Sequence, residues 1–93
     1  MPLRQSNTAS LPATLAVTSS ATLVLAGNTS RVSLLIVNTS PDTCYFGYDS
    51  TGLTTSTGVA VLANEALYED IYTGPVYAIK AGATVNLPYI EVA

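Results

Sequence analysis

Asp42 and Asp49, with Glu65, Glu69 and Asp70, are the side chains of this sequence suited to acid–base work. Paired carboxylates cleave glycosidic bonds when they flank a cleft at a defined separation. Glu69 and Asp70 are adjacent, so in an extended strand they project to opposite faces and do not form such a pair with each other. A solvated surface role accounts for all five without any reaction. The rest of the inventory is narrower still: His and Trp are absent, and Cys44 is the single cysteine. A His-based triad, a His-ligated metal and a Cys-rich zinc site are therefore excluded within one chain. One cysteine also excludes an intrachain disulfide. Cys44 stands beside Tyr45 with no lysine nearby in sequence to activate its thiol, and it reads as a small buried hydrophobe. No catalytic, cofactor-binding or metal-ligating residue is assigned, and neither an enzymatic activity nor a small-molecule substrate is expected.

Weaker motifs resolve into turns. Gly74-Pro75-Val76-Tyr77-Ala78-Ile79-Lys80-Ala81 has a glycine and a lysine in the order of a phosphate loop. It lacks the second Gly before the Lys and the Ser or Thr after it, and its apolar pattern is that of a hairpin strand. Asp49-Ser50-Thr51-Gly52 offers oxygens to a calcium ion, but one carboxylate is too few for a dedicated site. Asn28 and Asn38 each begin an Asn-Thr-Ser triplet. These match glycosylation acceptors, yet in a chain this rich in Asn, Ser and Thr they read better as turns. The six tyrosines, Tyr45, Tyr48, Tyr68, Tyr72, Tyr77 and Tyr89, are a different matter. Tyrosine supplies contact area at low entropy cost, and Tyr68 and Tyr72 are expected on one strand face with Asp70 between them.

Charge narrows the partners. The net charge is −3, from six carboxylates against Arg4, Arg31 and Lys80. Three scattered cations do not neutralise a run of phosphates, so nucleic acid is not an expected partner. Nor is a membrane: there is no polybasic or amphipathic stretch, and the longest apolar runs fall far short of the ~20 residues of a membrane helix. Hydroxyls take the place of charge, with 13 Thr and 9 Ser alternating with aliphatic residues. A surface of Thr, Ser and Asn lacks the repulsion that keeps monomers apart. It suits a subunit whose surface is used up in an assembly.

The elements that must position these residues form a single domain, since 93 residues leave no room for a second core. Met1 to Pro12 are polar and without apolar periodicity, and they read as an extended N-terminal arm (residues 1–12) ahead of a domain spanning 13–93. Arg4 precedes an Ala, Leu and Val-rich stretch of the kind found in secretory signals. Thr14, Thr18, Ser19, Ser20 and Thr22 interrupt it, and two strands are the better reading. Period-two or continuously apolar segments then predict strands at Ala13–Thr18, Ala21–Ala26, Arg31–Asn38, Thr43–Tyr48, Gly58–Ala63, Leu67–Tyr72, Val76–Lys80 and Thr84–Val92. The first two are expected to pair, with Leu15, Val17, Leu23 and Leu25 inward. Arg31–Asn38 is apolar on both faces, as a central strand would be. Cys44, Phe46 and Tyr48 share one face, and Pro88 predicts that the last strand lies at an edge or a bulge. About eight short strands with turn signals between them specify an all-β class: a small antiparallel β-sandwich or jelly-roll-like barrel.

Arg31–Ile36, Asn38-Thr39-Ser40, Tyr45-Phe46-Gly47-Tyr48-Asp49, Gly58–Leu62 and Tyr72-Thr73-Gly74-Pro75-Val76-Tyr77-Ala78-Ile79 together resemble small virion proteins of tailed bacteriophages. Val85–Val92 matches loosely, so the resemblance covers about two-thirds of the chain. It implies a β-sandwich structural protein of the capsid exterior, made in the host cytoplasm, with no catalytic residues to carry over. On that basis the chain is expected to be a capsid decoration or cement subunit, with the major capsid protein or other virion proteins as partners, and to self-associate as a homotrimer. Leu3, Arg4, Gln5 and Asn7 are the expected attachment residues, and Tyr45, Tyr48, Tyr68, Tyr72 and Tyr77 the expected subunit contacts. Two alternatives remain. One is a receptor- or carbohydrate-binding module on a tail or head fibre, with Tyr45, Tyr48 and Asp49 as an aromatic platform. The other is a head–tail or tail structural subunit.

Overall fold

Apolar residues at every second position, separated by Gly, Asn, Ser and Asp turns, give eight strands in the computed structural model, which describes residues 13–93. They are β1 (Ala13–Val17), β2 (Thr22–Leu25), β3 (Ser33–Val37), β4 (Cys44–Gly47), β5 (Val59–Val61), β6 (Ala66–Glu69), β7 (Val76–Ile79) and β8 (Val85–Val92). Two four-stranded antiparallel sheets form, in the orders β1-β8-β3-β6 and β2-β7-β4-β5. Each strand turns one set of alternate side chains toward the other sheet. Leu15 and Val17 of β1, Leu34 and Ile36 of β3 and Leu87 of β8 thereby meet Cys44 and Phe46 of β4, Val61 of β5 and Val76 and Ala78 of β7 in one core. The β-sandwich expected from the strand spacing is the observed class, and β3 is the internal strand that its two apolar faces require.

Three expectations about local arrangement are corrected. β1 and β2 do not pair; they lie in different sheets, β1 on β8 and β2 on β7. Leu23 faces outward and is 53% exposed. A bulge between Leu23 and Leu25 places an extra residue, Val24, in β2, so the alternation shifts and Val24 and Leu25 reach the core instead. Pro88 sits in an internal strand rather than at an edge. β8 tolerates it because its two halves have different neighbours: Val85 to Tyr89 pair with β1, whereas pairing with β3 runs from Val92 back to Tyr89 and stops one residue short of Pro88.

That proline also fixes which β1 groups point where. Pro88 opposes Thr14 and has no N–H to donate, so this pair is of the non-hydrogen-bonded kind. By alternation, Ala13, Leu15 and Val17 bond to β8, and the backbone groups of Thr14 and Ala16 point away from it. Elsewhere a close approach requires glycine: a Cβ on Gly58 would lie 2.7 Å from Cβ of Tyr45 and 3.3 Å from the Phe46 nitrogen.

Candidate functional site

The two described cations are interior groups, one at each end of the sandwich. Arg31 precedes β3 and its side chain is 1% exposed. Its Nε donates to Glu91 Oε2 at 2.8 Å, Nη1 donates to the carbonyls of Gly74 (3.0 Å) and Tyr72 (3.3 Å), and Nη2 donates to the Ala26 carbonyl at 2.9 Å. One guanidinium thus ties the end of β2, the β6–β7 loop and β8 together. Its five fixed donors suit that task. Lys80 follows β7 at the opposite end. Its Nζ donates to the carbonyls of Ala81 and Ala83, both at 2.6 Å, and lies 3.1 Å from Asp42 Oδ2.

Asn38 completes the Lys80 end and is fully buried. Its Nδ2 donates to the Asp42 and Val61 carbonyls at 2.7 and 2.8 Å, while its Oδ1 accepts from the Ser40 N–H at 3.0 Å and the Ser40 hydroxyl at 2.7 Å. Every hydrogen-bonding position of the amide is filled. The Asn38 triplet is therefore a turn, as expected. So is the triplet at Asn28, whose Oδ1 accepts from the Ser30 N–H at 3.0 Å. Cys44 is buried, and burial raises its thiol pKa above the usual value.

Tyrosines close the Arg31 end. Tyr48 continues the inward face of β4, but beyond the strand, and its ring stacks on Tyr72 with centroids 3.8 Å apart and planes 21° from parallel. Its hydroxyl donates to Glu69 Oε2. Glu69 also accepts from the Ile71 and Tyr72 N–H groups at 2.9 and 3.2 Å. The Tyr48 hydrogen bond and these two amides hold the Glu69 carboxyl down at about 2, and the same carboxylate pushes the Tyr48 phenol up to about 12. Tyr72 in turn donates to the Pro75 carbonyl at 2.9 Å and packs on the core. Tyr68 and Tyr72 consequently do not share a strand face: β6 ends at Glu69, where the carboxylate captures the next turn, and Tyr68 is left outward and 61% exposed.

Among the described residues the outer faces of both sheets carry no charge. Register places Thr14, Ala16, Asn86, Pro88, Ile90, Val92, Ser33, Leu35, Val37, Ala66 and Tyr68 on the first. Leu23, Tyr77, Ile79, Tyr45, Gly47 and Ala60 occupy the second. An open apolar groove of about 640 Å³ runs over the first face, lined by Ala13, Thr14, Leu35, Val37, Pro88, Tyr89 and Ile90. Of the tyrosines expected at contacts, Tyr45, Tyr68 and Tyr77 lie on these faces, while Tyr48 and Tyr72 are engaged with each other. Tyr45, Tyr48 and Asp49 do not form one platform, because Tyr45 faces outward from sheet two and Tyr48 closes the sandwich end. Leu3, Arg4, Gln5 and Asn7, and the proposed arm with them, lie outside the described residues. Among the described residues no cluster of His, Cys, Asp and Glu is arranged to hold a metal ion, and no helix is long and apolar enough to cross a membrane.

The chain matches no protein-family model, no curated protein and no solved structure.

Proposed function

We propose that the chain is a non-enzymatic structural subunit of a tailed-bacteriophage virion, a capsid decoration or cement protein that packs its sheet faces on neighbouring subunits. The observation that carries this reading is the distribution of charge: among the described residues both outer sheet faces are free of ionic groups, and both described cations are engaged by the chain's own carbonyls and carboxylates. Burying Thr, Ala, Leu and Tyr against a neighbour costs far less desolvation than burying Lys or Glu. The residues behind the phage resemblance are strand and turn residues, which suits a scaffold rather than a catalyst.

Size sets the mode of attachment. Four strands at ~4.8 Å spacing and five residues at ~3.3 Å give an outer face of roughly 300 Å². Stable interfaces use about 800 Å² per partner. One face therefore holds weakly, and firm attachment comes from several footprints acting together. A glycan-binding reading has less support, since the Tyr48 ring and hydroxyl are already engaged by Tyr72 and Glu69.

Mass spectrometry of purified virions from the source culture tests the proposal. The chain is expected at a copy number comparable to that of the major shell protein, and its removal should lower the temperature at which particles release their genome. Its absence from purified particles would overturn the reading.

A further inference from the structure

The sandwich has four edge strands, β1 and β6 in one sheet and β2 and β5 in the other. An edge exposes unpaired N–H and C=O groups and invites another strand, and proteins that stay monomeric blunt their edges. Three of these edges are blunted. β6 is preceded by Glu65, ends on Glu69 and is followed by Asp70. β5 is only three residues long. β2 is interrupted by the bulge at Val24. Within β1 none of these devices occurs: Ala13-Thr14-Leu15-Ala16-Val17 is uncharged, in regular register with β8 along its length and free of proline, which stands only before it, at Pro12.

We infer that β1 pairs antiparallel with β1 of a second copy about a two-fold axis through Leu15, joining two sandwiches into one continuous eight-stranded sheet. The inference rests on the reading of the chain as a self-associating subunit and names the surface it uses. The register is self-complementary. Centring on Leu15 puts Leu15 opposite its own copy, Ala13 opposite Val17 and Thr14 opposite Ala16, so core-facing residues meet core-facing residues and no like charges are opposed. The hydrogen bonding is also in place. Because Pro88 forces the outward groups of β1 to be those of Thr14 and Ala16, these two residues both donate and accept across the axis. Leu15 forms the closer, non-hydrogen-bonded pair at the centre. Among the described residues no other segment bonds to this edge. The contact is two-fold by construction, so it favours two copies over the three expected from the sequence alone.

Sedimentation and light scattering of the full chain, from micromolar to millimolar concentration, test this. The mass should rise from 9.6 kDa to twice that value. Ala16→Pro removes an outward N–H and fills its place with the proline ring while sparing the β8 ladder, so it should remain monomeric with an unchanged far-ultraviolet spectrum. A Thr14→Lys, Ala16→Lys variant and a Thr14→Glu, Ala16→Glu variant should each be monomeric alone and associate when mixed, a rescue that misfolding would not produce. Amide exchange at Thr14 and Ala16 should slow as concentration rises. A wild-type chain that is monomeric at millimolar concentration would overturn the inference. So would a folded Ala16→Pro chain that still dimerises, a charged pair that fails to associate, or protection at Thr14 and Ala16 that is independent of concentration, which would assign the edge to the chain's own residues 1–12. A monomer found in virions overturns only the β1 contact; a dimer absent from virions overturns only the virion reading.

Discussion

Replacing Arg31 by Met is expected to cost about 3–5 kcal/mol, the range for breaking a buried ion pair by removing one partner. The guanidinium makes the 2.8 Å bond to Glu91 and three further bonds to the carbonyls of Ala26, Tyr72 and Gly74. Those carbonyls lie on loops where water recovers part of the loss, so their cost does not simply add. A domain of this length has a stability of roughly 5–14 kcal/mol, at ~0.05–0.15 kcal/mol per residue. Set against that range, the loss runs from about a fifth of the stability to all of it. Urea unfolding followed by tyrosine fluorescence reads this directly. At a slope near ~1.5 kcal/mol/M, the midpoint should fall by roughly 2–3 M. Arg31→Lys keeps the charge but loses the fork, and should fall between the two. A midpoint shift below about 0.7 M for Arg31→Met, at unchanged slope, would refute the account of Arg31 as the tie between the sheets.

Other outcomes follow from the same contacts. Asn38→Ala empties four hydrogen bonds at a fully buried position, and chemical denaturation should show a loss of about 2–4 kcal/mol. Thr22 faces the core opposite Ala78 with a buried hydroxyl that has no partner among the described residues, so Thr22→Val should raise the melting temperature, by up to ~1 kcal/mol of stability. Glu69, at about 2 when folded against 4.5, contributes stability that is present above pH 4.5 and lost as pH falls toward 2; Tyr48, at about 12 against 10, contributes stability present below pH 10 and lost as pH rises toward 12. Tyr48→Phe should flatten the alkaline limb and weaken the acid one in stability measured across pH. Cys44 is buried with its thiol pKa raised; it should be unreactive to a thiol reagent in the native protein and modified only at the rate of unfolding.

Much of the strand layout was legible because alternation needs no tertiary knowledge. Val-Ser-Leu-Leu-Ile-Val announces an internal strand, and Cys44 and Phe46 fall inward by parity alone. Pairing was less accessible. β1 and β2 are sequence neighbours, and only the sandwich decides that each takes a distant partner. The bulge at Val24 is set by the match between β2 and β7, so Leu23 looked inward until that match was known. The burial of Arg31 was not legible, since nothing local shows that loops distant in sequence offer it carbonyls. The uncharged faces were partly foreshadowed by the Thr and Ser content, but which residues share a face depends on register.

The place of β8 has a consequence for how the polypeptide is made. Its first half carries β1 and its second half carries β3, so the first sheet has no centre until Val85–Val92 exist. Until then β1 has no partner strand and β3 has only β6, and neither is satisfied by residues close in sequence. Assembly of this domain is thus of high contact order, expected in milliseconds to seconds rather than microseconds. During that interval the uncharged β1 is open to the strands of other newly made copies, and crowding of identical chains sets how many mature alone and how many aggregate.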